Sequence, residues 1–113
     1  MRVINRSAVV VRPKDPYLEW ASGTDEKAKE TAHWMRDRAA VYLLPEDPTG
    51  REETPPLEGF YARIFEHELE AWHLDRSTWP GPRTLEMFHE WFEVVRESIV
   101  VDLADGPVSV EEL

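Results

Sequence analysis

The chain has 113 residues, with 13 Lys+Arg against 23 Asp+Glu, four His, no Cys and a formal net charge of −10. That length suits one domain of ordinary size. The lack of Cys excludes a disulfide framework and a thiolate zinc site, and the acidity disfavours a protein that wraps nucleic acid, since phosphate binding needs clustered Lys and Arg.

The charge is uneven. Residues 1–14 hold Arg2, Arg6, Arg12 and Lys14 and no acid, a charge of +4, whereas the remainder has 9 bases and 23 acids and carries −14. Such a basic start is read as packing into the chain's own acidic body, or else as an arm for an acidic partner.

Val3 to Arg12 contains Val3, Ile4, Ala8, Val9, Val10 and Val11. A β-branched apolar run closed by Pro13 predicts a buried strand near 3–12. Asp15-Pro16 then has the form of a cap and first helical position, and Gly23 that of a stop, so a two-turn helix is expected near 15–22. Residues 24–36 fit a second helix with Ala28, Ala32 and Met35 inward, or a loop. A second apolar run, Ala39 to Leu44, predicts a strand near 39–44. Residues 45–56 hold Pro45, Pro48, Gly50, Pro55 and Pro56 among acids and read as a surface loop, with Thr54 as the start signal for the next helix.

From Leu57 the apolar positions are 57, 60, 61, 64, 65, 69 and 72, spacings that predict an amphipathic helix near 57–73. Trp79-Pro80-Gly81-Pro82 forces a turn. Leu85, Phe88, Trp91 and Phe92 resume one helical face near 84–92, with Thr84 as its cap. A β-branched run around Ser98–Leu103 predicts a third strand near 94–103, with a continued helix as the competing reading. Residues 106–113 form an acidic C-terminal tail. The whole chain, 1–113, reads as a single α+β domain: a two-layer sandwich of about three short strands with helices packed mainly on one face. If the first two strands pair in parallel, their crossover should be right-handed.

Asn5-Arg6-Ser7-Ala8, Arg12-Pro13-Lys14, Trp79-Pro80 with Arg83, Phe88-His89-Glu90-Trp91-Phe92 and Ser98-Ile99-Val100-Val101-Asp102-Leu103 resemble stretches of a group of small uncharacterised bacterial proteins. Some members carry a VacJ-like label. The resemblance covers the first strand and the C-terminal third and implies no transferable activity. The VacJ lipoprotein class depends on a signal sequence and a lipidated Cys, neither of which is found here.

Three constellations stand out. Glu30–His33, Glu70–His73 and Glu86–His89 are all Glu-x-x-His, a spacing that puts both ligands on one helical face. They make Glu70, His73, Glu86 and His89 the ligands of a possible divalent transition-metal site, although Glu-rich helices produce the spacing without a site. Asp102 and Arg6 each sit inside an apolar strand, where a buried charge needs a partner, so the two are expected to form a buried polar pair or to face solvent from an edge. Trp79 lies on a turn beside Arg76 and Arg83, the composition of an interface anchor or of a lid over the core. No Cys nucleophile, Gly-x-Ser-x-Gly elbow or phosphate loop is found.

These features favour a small acidic cytoplasmic protein that is not an enzyme. It would act through protein–protein contact, including self-association as a homodimer, with Arg76, Trp79 and Arg83 as the surface. No cofactor, nucleic acid or membrane is expected as a partner. The alternative is a carboxylate/histidine metal-binding protein.

Overall fold

A computed structural model of the chain describes residues 1–47, 49 and 56–113, except for the side chain of His33. Most of the expected 45–56 loop, including the proposed start at Thr54, lies outside the described residues. The elements run β1 (Arg2–Val3), β2 (Arg6–Pro13), α1 (Asp15–Ser22), α2 (Ala28–Ala32), β3 (Ala40–Pro45), α3 (Tyr61–Trp72), α4 (Leu85–Trp91), β4 (Phe92–Glu97) and β5 (Val101–Asp102). Single 3-10 turns precede β3, α3 and α4 at His33–Asp37, Leu57–Gly59 and Arg76–Thr78. The chain is an α+β fold, with five strands in two small antiparallel sheets and four helices packed against sheet among the described residues.

The main sheet has the order β3-β2-β4, with both pairings antiparallel. The parallel crossover considered for the first two strands is therefore not the one formed. Alternation along β2 divides the sheet into two faces. Val9 and Val11 point into the core with Tyr42 and Leu44 of β3 and Phe92 and Val94 of β4. Val10, with Val41 and Val95 opposite it, points the other way.

The helices close the core face. Tyr17, Leu18 and Ala21 of α1, Ile64, Phe65 and Leu69 of α3 and Phe88 of α4 are buried against Val9 and Val11. Rings dominate this core: Phe65 meets Phe88, Trp91 and Phe92 at centroid distances of 5.3–6.0 Å. The indole N–H groups of Trp20, Trp72 and Trp79 donate to carbonyl oxygens of Thr78, Ala21 and His73, so these large side chains bury area without stranding a donor.

Local chemistry sets the element ends. Lys14, not Asp15, holds the cap position of α1, which leaves Asp15 and Pro16 in its first turn. The open region 24–36 becomes a short helix because the Ala28 N–H is capped by Asp25 Oδ1 at 2.8 Å and because Ala28 and Ala32 are buried. Thr84 caps α4 through the Met87 N–H.

Both outer strands predicted from sequence are split. The first breaks at Ile4-Asn5 and the last at Ser98–Val100. The detached ends pair with each other as β1–β5, with Arg2 opposite Asp102. The helix-to-strand switch comes at Phe92, where α4 passes directly into β4. Residues 103–113 are all exposed. The radius of gyration is 15.9 Å, against about 13 Å for a compact chain of this length.

Candidate functional site

The expected Arg6–Asp102 pair does not form. Ala8 lies opposite Glu97 and Arg2 opposite Asp102, so antiparallel pairing leaves Arg6 several residues short of Asp102 along the ladder. Between those two pairs the N-terminal strand also uses one residue more than its partner, the offset of a β-bulge. Asp102 instead takes Arg2 at 2.6 Å, on the surface. The Ala104 N–H, followed by the Arg2 guanidinium, holds its carboxyl below the usual range. Arg6 is exposed and donates to the Asn5 carbonyl.

All four N-terminal bases bind their own chain, and mostly its carbonyl oxygens. Arg12 donates to Asp37 O and Lys14 to His89 O, while Arg2 adds a bond to Gly106 O.

The proposed metal ligands are not assembled. His73 follows the end of α3, where its Nδ1 accepts the Asp75 N–H, and Glu70 is exposed on α3. Glu86 and His89 are exposed on α4. Among the described residues no group of three or more His, Asp or Glu can hold a metal ion. Only Glu86 and His89 share a helix, because α3 ends at Trp72 and leaves His73 extended beyond it, and packing turned the core-facing stripes, not these residues, toward one another.

Arg76, Trp79 and Arg83 do come together. The two guanidinium carbons lie 5.0 and 5.9 Å from the Trp79 ring centroid. Trp79 is half-buried against the core, and Arg83 is held by Pro80 O and by Glu66 at 3.1 Å. Much of the ring and its N–H are therefore engaged within the chain.

A different place combines space with perturbed chemistry. Between β3 and α3 lies a groove of about 470 Å3. Leu43, Leu44, Phe60 and Ile64 supply its apolar walls, and Tyr42, Arg63 and His67 its polar ones. Arg63 makes no hydrogen bond or ion pair with any described residue.

At the base of the groove, the Tyr42 hydroxyl lies 2.8 Å from His67 Nδ1 and donates to Glu68 Oε1 at 2.8 Å. The Tyr42 hydroxyl thus bridges Glu68 and His67, its role toward the imidazole set by the His67 tautomer. Glu68 is 8% exposed. Burial raises its pKa, opposed by the Tyr42 hydrogen bond and the nearby His67. Burial, reinforced by the Glu68 charge, also keeps the Tyr17 and Tyr42 hydroxyls protonated far above the ordinary range. Tyr17 caps the same turn by donating to Glu68 O at 2.7 Å.

This cluster ties α1, α3 and β3 together beside the groove. It also offers an incoming polar group a rim of Arg63 and His67. It was missed in the sequence, although one signal was present: Glu68 falls between Phe65 and Leu69 on the apolar face of the helix, where a carboxylate is out of place.

Among the described residues β3 is an edge strand, paired only with β2. Its sequence, Ala-Val-Tyr-Leu-Leu-Pro, has no charged side chain. Val41 is 61% and Leu43 49% exposed. Among the described residues, no backbone hydrogen bond satisfies its outer side.

Comparison with known proteins finds no matching family model, no matching curated protein and no matching solved structure. No helix among the described residues is long and apolar enough to cross a membrane.

Proposed function

We propose that this chain is a non-enzymatic protein-interaction module and that its docking surface is the free edge of β3 with the adjoining groove. A chain without Cys suits the reducing cytoplasm. The carrying observation is the uncharged edge, outwardly unpaired among the described residues, beside an apolar groove. Such an edge is a template for an added strand. In strand addition, main-chain hydrogen bonds give affinity, while pockets for alternate side chains give selectivity. Leu43, Leu44, Phe60 and Ile64 form an apolar pocket of that kind. Arg63 and His67 on the rim favour a partner segment that also carries a carboxylate.

The test is a panel of extended peptides with apolar residues at alternate positions, with and without one Glu, measured by fluorescence anisotropy. Alternating peptides with Glu should bind best, and Val41→Lys should abolish binding by placing a charge on the edge. Equal binding of scrambled peptides, or binding that survives Val41→Lys, would refute the assignment.

A further inference from the structure

Resting on that reading of the β3 edge, we infer that its occupant is the segment Val108–Leu113 of a second copy of this chain. Three independent features of the segment match the groove.

The first is pattern. Val108-Ser109-Val110 alternates β-branched and polar side chains, as a strand laid on an edge requires. Yet the segment forms no secondary structure of its own, and its large apolar side chains are unburied: Val108 is 70% and Val110 78% exposed, and Leu113 wholly so.

The second is charge. Glu111 and Glu112 follow the apolar pair, and the groove rim carries Arg63 and His67. In a chain of net charge −10, a groove lined by Arg63 and His67 with no Asp or Glu among its described lining residues is a local inversion. It is complementary to an acidic strand rather than to the body as a whole.

The third is length and place. The six residues Val108–Leu113 span about 20 Å when extended, the reach of the six-residue β3. Leu113 already lines the groove of its own chain. It does so by its tip only, with Val108 and Val110 in solvent and Gly106 anchored to the Arg2 guanidinium at 2.7 Å. The segment thus passes its own groove end-on, whereas a second copy can lay the same residues along β3. Two copies exchanging tails bury two edges reciprocally, the closed arrangement of a two-fold dimer. β3 has no charge to oppose it.

Sedimentation equilibrium of the full chain, from low micromolar to millimolar concentration, tests this. Wild type should be a dimer. The double variant Val108→Asp/Val110→Asp and the edge variant Val41→Lys should each raise the dissociation constant by at least about tenfold. All three residues are exposed, and circular dichroism should show each variant folded like wild type. A wild type that stays monomeric throughout overturns the inference, and so does a dimer that survives the tail variant. If the dimer survives the tail variant but is lost in Val41→Lys, the edge still docks a strand and only the identity of that strand is wrong. If it survives both, the β3 docking surface fails as the site of self-association too.

Discussion

The main sheet has two edges of opposite construction. β3 carries no charge and borders a groove, while β4, Phe-Glu-Val-Val-Arg-Glu, carries Glu93, Arg96 and Glu97. Charges on an edge strand deter pairing with foreign strands. β4 is guarded in that way, and β3 is not. The difference does not lie in the core, because both strands place alternate residues, Tyr42 and Leu44 of β3 and Phe92 and Val94 of β4, in the same cluster. It lies in the outward residues and in what stands beside each edge, which is the level at which binding surfaces are chosen.

The largest expected effect removes the support common to both edges. Phe65 is fully buried between the rings of Phe88, Trp91 and Phe92. Phe65→Ala should cost about 3–5 kcal/mol in urea unfolding, and hydrogen exchange should show β3 and β4 opening together. Opening of one edge alone would show that the two edges do not share a core.

Next comes a change confined to the β3 side. Tyr42→Phe leaves Glu68 buried without its hydroxyl donor and should cost about 1–3 kcal/mol. Exchange should accelerate in β3 and α3 while β4 keeps its protection. Uniform acceleration would mean that the Tyr42–Glu68 contact does not distinguish the edges.

Paired lysine substitutions sharpen the contrast. Val41 and Val95 both oppose Val10 on the open face, one on each edge. Val41→Lys should weaken association by at least about tenfold, near 1.4 kcal/mol, and Val95→Lys should leave it unchanged. Equal losses would move the contact from the β3 edge to the open face of the sheet.

A smaller effect is read from pH. The folded state raises the Glu68 pKa, chiefly by burial, so it favours the neutral acid. The stability this group permits is fully present below the ordinary Glu range and declines as pH rises through the raised value. Glu68→Gln should therefore gain melting temperature relative to wild type as pH rises above the ordinary Glu range of about 4.3. A constant difference across that rise would remove Glu68 as its cause.

Asp102 has the opposite sign. Its pKa is lowered by the Ala104 N–H and by Arg2, so its contribution is present above the unfolded pKa and lost as pH falls through the folded one. At an exposed site this is the smallest effect, and Asp102→Ala should leave the melting temperature nearly unchanged at neutral pH. A large drop would mean that the β1–β5 ribbon contributes more to stability than its exposure suggests.

Several features of the fold were legible in the sequence because they depend on local chemistry or on the period of the pattern. The α1 span, the β3 span and the Thr84 cap were read from residues next to one another. The helix around α3 followed from apolar spacings of three and four. Failures came where distant segments compete. The split of the outer strands at Asn5 and Ser98 was hidden inside two continuous apolar runs, and with it the choice of Arg2 over Arg6 for Asp102. Of the two proposed Glu-x-x-His ligand pairs only Glu86–His89 has the helical geometry; α3 stops one residue before His73, and packing leaves Glu70, Glu86 and His89 exposed on separate helices.

By itself, the sequence determined an α+β chain with a ring-rich core, a basic start and an acidic body. These follow from side-chain volume, period and charge, which each residue carries wherever it lies. Only the tertiary structure decided that β2 is central and that the uncharged strand lies at an edge beside α3. Only it brought buried Glu68 to the Tyr42 hydroxyl, beside a groove that Tyr42, Arg63 and His67 line. Strand order and register are settled by burial summed over the whole chain, so no single segment encodes them.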